Sequence, residues 1–137
     1  MRIYFAASIR GGVWNRENYF VLVTYLKKFG SVLTEHIPYT NEMDVSEISD
    51  KEIFERDVAW IRSADLMVAE VSNPSLGLGY EICKAEGFGV PVLCLYQKGS
   101  ERRLSAMIEG NAHCKVKNYS NAEEALDFIK DFIKELE

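Results

Sequence analysis

Apolar residues along this chain switch repeatedly between two spacings. Compact apolar runs without helical spacing occur at Arg2 to Ala7, Ser31 to Thr34, Leu66 to Val71, Val90 to Tyr96 and Lys115 to Tyr119. Runs of four to eight residues bounded by turn formers predict buried strands. Between the first two, Tyr19, Leu22, Leu26 and Phe29 recur at helical spacing up to Gly30, which predicts a helix that stops at the glycine. Ser49-Asp50-Lys51-Glu52 has the spacing of a capping box and predicts a helix from there to about Ser63. A third helix is predicted over Tyr80 to Phe88 and a short one over Arg102 to Glu109. Ala125, Ile129, Phe132, Ile133 and Leu136 set the core face of a terminal helix. The polar segment from Pro38 to Ser49 is the longest non-periodic stretch, expected to lie as a mobile flap over a site.

Strands that alternate with helices imply a parallel sheet covered on both faces. The expected fold is therefore a doubly wound α/β domain spanning residues 1–137. It has a five-stranded parallel sheet of Rossmann-like or flavodoxin-like order flanked by helices. Ligands bind such sheets at the carboxyl ends of the strands. If strands one and three are neighbours, the loops that follow them meet at that edge.

Composition narrows the classes of partner. The chain has 137 residues, 47% of them hydrophobic, enough to bury a core, and no internal repeat or linker interrupts it. A formal net charge of -5 gives no long-range attraction to nucleic acid or anionic membrane, although a local basic pocket can still hold one phosphate. No apolar run reaches membrane-spanning length and no signal-peptide pattern precedes the first strand, so a cytoplasmic protein is expected. Cys83, Cys94 and Cys114 are odd in number and lack paired spacing, which indicates neither a disulfide framework nor a zinc site; Cys94 reads as a core residue.

Chemistry concentrates after strand three. Asn73-Pro74-Ser75-Leu76-Gly77-Leu78-Gly79-Tyr80-Glu81 reads as a tight loop leading into a helix, where glycines allow close approach of backbone to ligand and free N–H groups favour an anion. Helical projection puts Glu81 at the margin of its helix's apolar face; the bland alternative is a first-turn glutamate held by the helix dipole. On the helix from Asp50, Ile53, Phe54, Val58 and Ile61 form an apolar arc and Asp57 projects into its middle. A carboxylate on a core-facing stripe needs a partner or a raised pKa, and perturbed acids gather at functional sites. The competing reading is a structural ion pair with an arginine such as Arg10. Two such carboxylates are the usual chemistry for cleaving a bond at a sugar anomeric carbon. Ser8 and Arg10, beside Gly11 and Gly12, are suitable phosphate donors. Position 82 is Ile, so the dinucleotide fingerprint fails. No Lys-Ser or Lys-Thr follows the glycine pair, so there is no P-loop, and His36 and His113 lack ligand spacing.

Ser8-Ile9-Arg10-Gly11-Gly12 followed in order by Pro74-Ser75-Leu76-Gly77-Leu78-Gly79-Tyr80-Glu81 is far more specific than either motif alone. With Ile3 to Ala7, Val32 to His36, Asp57 to Trp60 and Leu104 to Ile108, the chain resembles the 2'-deoxynucleoside 5'-phosphate N-hydrolases of the nucleoside 2-deoxyribosyltransferase superfamily. The resemblance implies that Glu81 is a nucleophile forming a glycosyl-enzyme intermediate at C1'. It further implies that Asp57 is the acid assisting departure of the base, and that Tyr4 lies near sugar and carboxylate. Substrate binding would fall to Ser8, Ile9, Arg10, Gly11, Ser75, Gly77, Ser105 and Met107. Ser105 would reach the phosphate from a neighbouring subunit, implying a homodimer with shared sites, and no metal or organic cofactor is implied. Alternatives are a nucleoside 2-deoxyribosyltransferase, a hydrolase of CMP-like ribonucleotides, and a nucleotide-binding module without turnover. Base preference would depend on the 38–49 loop, where the resemblance is poorest.

Overall fold

A computed structural model describes residues 1–9, 15–39, 48–100 and 102–137. Five strands, β1 (Arg2–Ala7), β2 (Ser31–Val32), β3 (Leu66–Glu70), β4 (Val92–Gln97) and β5 (Cys114–Tyr119), form an all-parallel sheet in the order β2-β1-β3-β4-β5. The order reverses direction at β1, between β2 and β3, which is the switch point where open α/β sheets bind ligands. The helices are α1 (Arg16–Leu26), α2 (Asp50–Ser63), α3 (Leu76–Gly87), α4 (Ala106–Glu109) and α5 (Ala122–Leu136). This is the flavodoxin-like arrangement expected from the alternation of spacings.

The strand pleat sorts the core into two layers. Ile3, Phe5, Leu66, Val68, Leu93 and Leu95 face α1 and α5, while Tyr4, Ala6, Met67, Ala69, Val92 and Cys94 face α2 and α3. Strands covered on both faces carry near-continuous apolar runs, and β3 is buried along its whole length. One residue of that run is a carboxylic acid, Glu70.

Local chemistry moves several element ends. The first helix stops at Leu26 instead of running to Gly30. Gly30 is needed for another reason: a Cβ there would stand 2.1 Å from the Met1 carbonyl oxygen, which also accepts the Ser31 N–H at 2.9 Å. The second strand is two residues rather than four. Helix α3 begins at Leu76, well before the periodic segment, because the Ser75 hydroxyl accepts the Leu78 N–H at 3.3 Å and so caps the first turn. Gly77 and Gly79 therefore lie within a helix, not in a loop. At α2 the Ser49 hydroxyl accepts the Glu52 N–H at 3.1 Å and donates to the Glu52 carboxylate at 3.2 Å, a variant of the expected box. On α5, Ala125, Ile129, Phe132 and Ile133 are buried, but Leu136 in the final turn is 41% exposed. No helix among the described residues is long and apolar enough to cross a membrane.

Candidate active site

The loops after β1 and β3 meet, as the sheet order requires. Ala7 pairs with Glu70 in register, and beyond them the Asn73 side-chain amide donates to the Ser8 hydroxyl at 3.3 Å. On the α2/α3 side of this edge lies a cavity of about 720 Å³ lined by Tyr4, Ile9, Asp57, Ser75, Gly77 and Glu81, among others. Six of the residues singled out from sequence are thus brought together.

Glu81 is one of the carboxyls that line the cavity. It sits in the second turn of α3, and β1 presents Tyr4 across from it; the Tyr4 hydroxyl donates to Glu81 Oε1 at 2.7 Å. Tyr4 is almost wholly enclosed, at 1% exposure. Burial pushes the Glu81 carboxyl up to about 7, opposed by the Tyr4 hydrogen bond and reinforced by the negative charge of Asp57. The Tyr4 phenol is held far above its ordinary range, first by burial and then by Glu81 and Asp57, so it remains a proton donor in the hydrogen bond. The early glycines of α3 leave open space: a Cβ on Gly79 would meet nothing within 4 Å, and one on Gly77 only the Ser75 hydroxyl at 3.9 Å. Of the first-turn N–H groups, that of Leu78 is taken by the Ser75 hydroxyl and that of Gly79 by the Ser75 carbonyl at 3.2 Å, so an anion would meet those of Leu76 and Gly77.

The apolar arc of α2 does not pack into the core. Only Ile61 of the arc is buried; Ile53, Phe54 and Val58 line the cavity, and Asp57 projects among them. Its partner is the neighbouring Arg56, whose Nε donates to Asp57 Oδ1 at 2.9 Å. The Arg56 guanidinium also lies 4.6 Å from the centroid of the Trp60 ring, one turn further along α2. His36, half-buried in the cavity wall and 6.1 Å from Trp60 by ring centroids, has its pKa lowered by burial and then by Arg56. Phe54 of α2 and Tyr80 of α3, both lining the cavity, meet with ring centroids 6.0 Å apart and planes tilted by 53°. Sequence reasoning missed Arg56, for which the Arg-x-x-x-Trp spacing of a helical cation–π pair was the available signal, and weighed His36 only as a metal ligand.

Other expected site residues fall elsewhere. Ser8 is fully buried beneath Asn73. Arg10 and Gly11, with positions 40–47 of the polar loop, lie outside the described residues. Ser105 and Met107 do not reach the Glu81 cavity; they line a separate one of about 390 Å³, which Ser75 also borders. There the Ser105 hydroxyl caps α4 by accepting the Met107 N–H at 3.2 Å, and Met107 is 81% exposed. His113 is hydrogen-bonded through Nε2 to the Val90 carbonyl at 2.7 Å. Among the described residues no group of three or more His, Cys, Asp or Glu side chains could share a metal ion.

The family model for nucleoside 2-deoxyribosyltransferase matches residues 3–124, from β1 into the first turn of α5. The chain belongs to that family. It is 41% identical over 136 residues to a Syntrophotalea carbinolica protein provisionally named 2'-deoxynucleoside 5'-phosphate N-hydrolase 1, covering 98% of this chain and 96% of that protein. It is also 47% identical over 113 residues to the 5-hydroxymethyl-dUMP N-hydrolase of Mus musculus, covering 80% of this chain and 65% of the mouse protein. The fold matches that of the Clostridium botulinum CMP N-glycosidase with a TM-score of 0.67 at 17% identity, covering 95% and 99% of the two chains.

Proposed function

We propose that this chain hydrolyses the N-glycosidic bond of 2'-deoxynucleoside 5'-monophosphates to free base and 2-deoxyribose 5-phosphate. The observation that carries this reading is the enclosed Glu81 carboxyl, hydrogen-bonded by Tyr4 and electrostatically coupled to Asp57, in a cavity at the switch point of the sheet. The names of the relatives support the same reaction. Tyr4 occupies Oε1, which leaves Oε2 to attack C1'. As the C1'–N bond breaks, its electron pair leaves with the base, which takes up a proton with the help of Asp57. Water then attacks C1', breaking its bond to Glu81 and giving a proton to Asp57 in place of the one passed to the base, so that the sugar phosphate leaves and the Glu81 carboxylate is restored. A neighbouring carboxylate pair suits the oxocarbenium-like transition state, and the missing 2'-hydroxyl makes that state accessible. The 5'-phosphate is bound by Ser75 and the open first turn of α3, with Arg10 and Gly11 of the loop after β1, while Ser8, enclosed beneath Asn73, holds the start of that loop. Holding the phosphate orients C1' toward Glu81.

The site is completed by a second copy of the chain, which contributes Ser105 and Met107. Their position outside the chain's own Glu81 cavity supports this, as does Leu76, 97% exposed at the start of α3. The protein works in the cytoplasm as a homodimer of one-domain subunits. A mixture of Glu81→Gln and Ser105→Ala dimers, exchanged in solution, regains one intact site per heterodimer if Ser105 crosses the interface; no regain, or a fully active monomer, refutes it.

The reaction itself is tested by incubating the protein with dGMP, dCMP, 5-hydroxymethyl-dUMP, GMP and deoxyguanosine and measuring free base by chromatography. Release from deoxynucleotides alone is expected. Equal release from deoxyguanosine would refute the phosphate pocket, and transfer of the sugar to an added base in place of hydrolysis would make the chain a transferase.

A further inference from the structure

Glu70 stands where the pleat calls for a core residue. Leu66 and Val68 point into the α1/α5 layer, and Glu70, next on that face, is 1% exposed. An apolar side chain would fill this position without the desolvation cost of a carboxyl. What an apolar residue could not do is accept hydrogen bonds. Glu70 Oε1 accepts the Ser72 N–H at 2.9 Å and, through a short contact, the Ser72 hydroxyl. The Ser72 Oγ in turn accepts the Gln97 N–H at 2.8 Å, tying the turn to the end of β4. Among the described residues, Oε2 of Glu70 has no hydrogen-bond partner, and neither does the buried Tyr19 hydroxyl. Negative charge on Glu70 contributes to raising the phenols of Tyr19 and Tyr119, the surrounding groups from α1 and β5, after burial itself.

The turn that Glu70 holds leads directly into the phosphate-binding loop. Ser72 is followed by Asn73, which reaches the Ser8 hydroxyl, and then by Ser75, which caps α3. Glu70 is flanked in the sheet by Ala7, the residue before Ser8, and by Leu95. It touches neither the Glu81 cavity nor the group expected to react.

We propose that Glu70 is a positioning residue for the 5'-phosphate pocket, acting through Ser72 and Asn73 to hold Ser75 in its binding geometry and to fix Asn73 against the buried Ser8. The inference rests on the phosphate-pocket reading given above. It makes the face of the sheet opposite Glu81 part of substrate selection.

The test compares Glu70→Leu, Glu70→Gln and Ser72→Ala with the parent enzyme in steady-state hydrolysis of a deoxynucleoside monophosphate. Inorganic phosphate and the free base serve as competitive inhibitors. Glu70→Leu is expected to raise KM and the Ki of inorganic phosphate together by about tenfold or more, with kcat changed less than about threefold and the Ki of the base unmoved. Glu70→Gln, whose amide oxygen can still accept from Ser72, should restore both constants. Ser72→Ala leaves Glu70 in place and should give the same pattern at smaller size; it decides the matter if Glu70→Leu does not fold. Parallel changes in the two Ki values, or an unchanged KM in Ser72→Ala and Glu70→Leu, would overturn the proposal. Failure of the phosphate-pocket reading looks different: inorganic phosphate would not inhibit the parent, and Ser75→Ala would leave KM unchanged. If Ser75→Ala raises KM and the Glu70 variants do not, the pocket stands and Glu70 has no part in it.

Discussion

Replacing Tyr4 with Phe removes one hydroxyl from beneath Glu81 and nothing else from the cavity. That hydroxyl donates at 2.7 Å to Glu81 Oε1 from a side chain only 1% exposed, so bulk water has little access to take its place. A hydrogen bond to a charged group contributes about 1.5–3 kcal/mol, and 1.36 kcal/mol corresponds to one pKa unit. Glu81 already titrates at about 7 because of burial, with the Tyr4 bond holding it down. Losing the bond moves the acid limb of activity upward by roughly one to two pH units. At pH 7 the ionised, nucleophilic fraction drops from about half to between roughly one part in ten and one in a hundred, so kcat/KM falls by about five- to fiftyfold. The assay is kcat/KM against pH on a deoxynucleoside monophosphate, from about pH 5.5 to 10. Tyr4→Phe should recover most of the parent activity at the alkaline end, where Glu81 is ionised in both proteins. An acid limb unmoved from that of the parent, with activity lowered evenly at every pH, would refute the claim that Tyr4 tunes the charge on Glu81.

Four other outcomes follow from the structure. Glu81→Gln should lower turnover by about three orders of magnitude or more while the fold persists, and near-normal turnover would remove Glu81 from the nucleophile role. It should also change stability with a definite sign. Because the folded-state pKa lies above the ordinary 4.5, the native state binds more protons than the unfolded one. The fold is therefore favoured at low pH and loses stability as pH rises toward and through about 7. The variant escapes that loss, worth at most about 3 kcal/mol at 1.36 kcal/mol per unit; thermal unfolding at pH 5 and pH 8 measures it, and an equal fall in both proteins counts against it. Arg56→Gln abolishes the Asp57 ion pair and the Trp60 contact, each worth about 0.5–1 kcal/mol, and should lower kcat/KM by about three- to tenfold. A change below twofold would show that Asp57 needs no clamp. Gly30→Ala drives a Cβ against the Met1 carbonyl and should destabilise by about 1–3 kcal/mol in urea titration, with an unshifted midpoint meaning that the β2 edge yields freely.

Much of the fold was legible because local rules suffice for it. Apolar runs marked the five strands, since a parallel strand buried on both faces must be apolar nearly throughout, and the helix between each pair required crossovers and hence a parallel sheet. The Ser49 cap and the stripe of Ala125, Ile129, Phe132 and Ile133 were equally plain. Where expectation and structure part, the cause is in some cases a neighbour distant in sequence and in others a competing local signal. Gly30 was read as a helix stop, but it serves the approach of Met1. Leu136 shares its helix face with buried residues and still lies in the open last turn. The α3 start was hidden because glycines argue for a loop, and only the Ser75 cap outweighs them. The α2 arc was read correctly as one face but wrongly as core-facing, since periodicity states which residues share a side and not what that side meets. Glu70 passed unnoticed within an apolar run.

Helical projection singled out Asp57 and Glu81, and the family resemblance joined Tyr4 to them in one hypothesis. Tertiary structure decided that Tyr4 and Glu81, 77 positions apart, share a hydrogen bond, that Arg56 engages Asp57, and that Ser105 and Met107 belong to a different cavity. Periods and caps are set by interactions within a few residues, so the chain carries them openly. Distances, desolvation and the resulting pKa of Glu81 arise only when α3 packs on the face of the sheet that carries Tyr4 and excludes water between them.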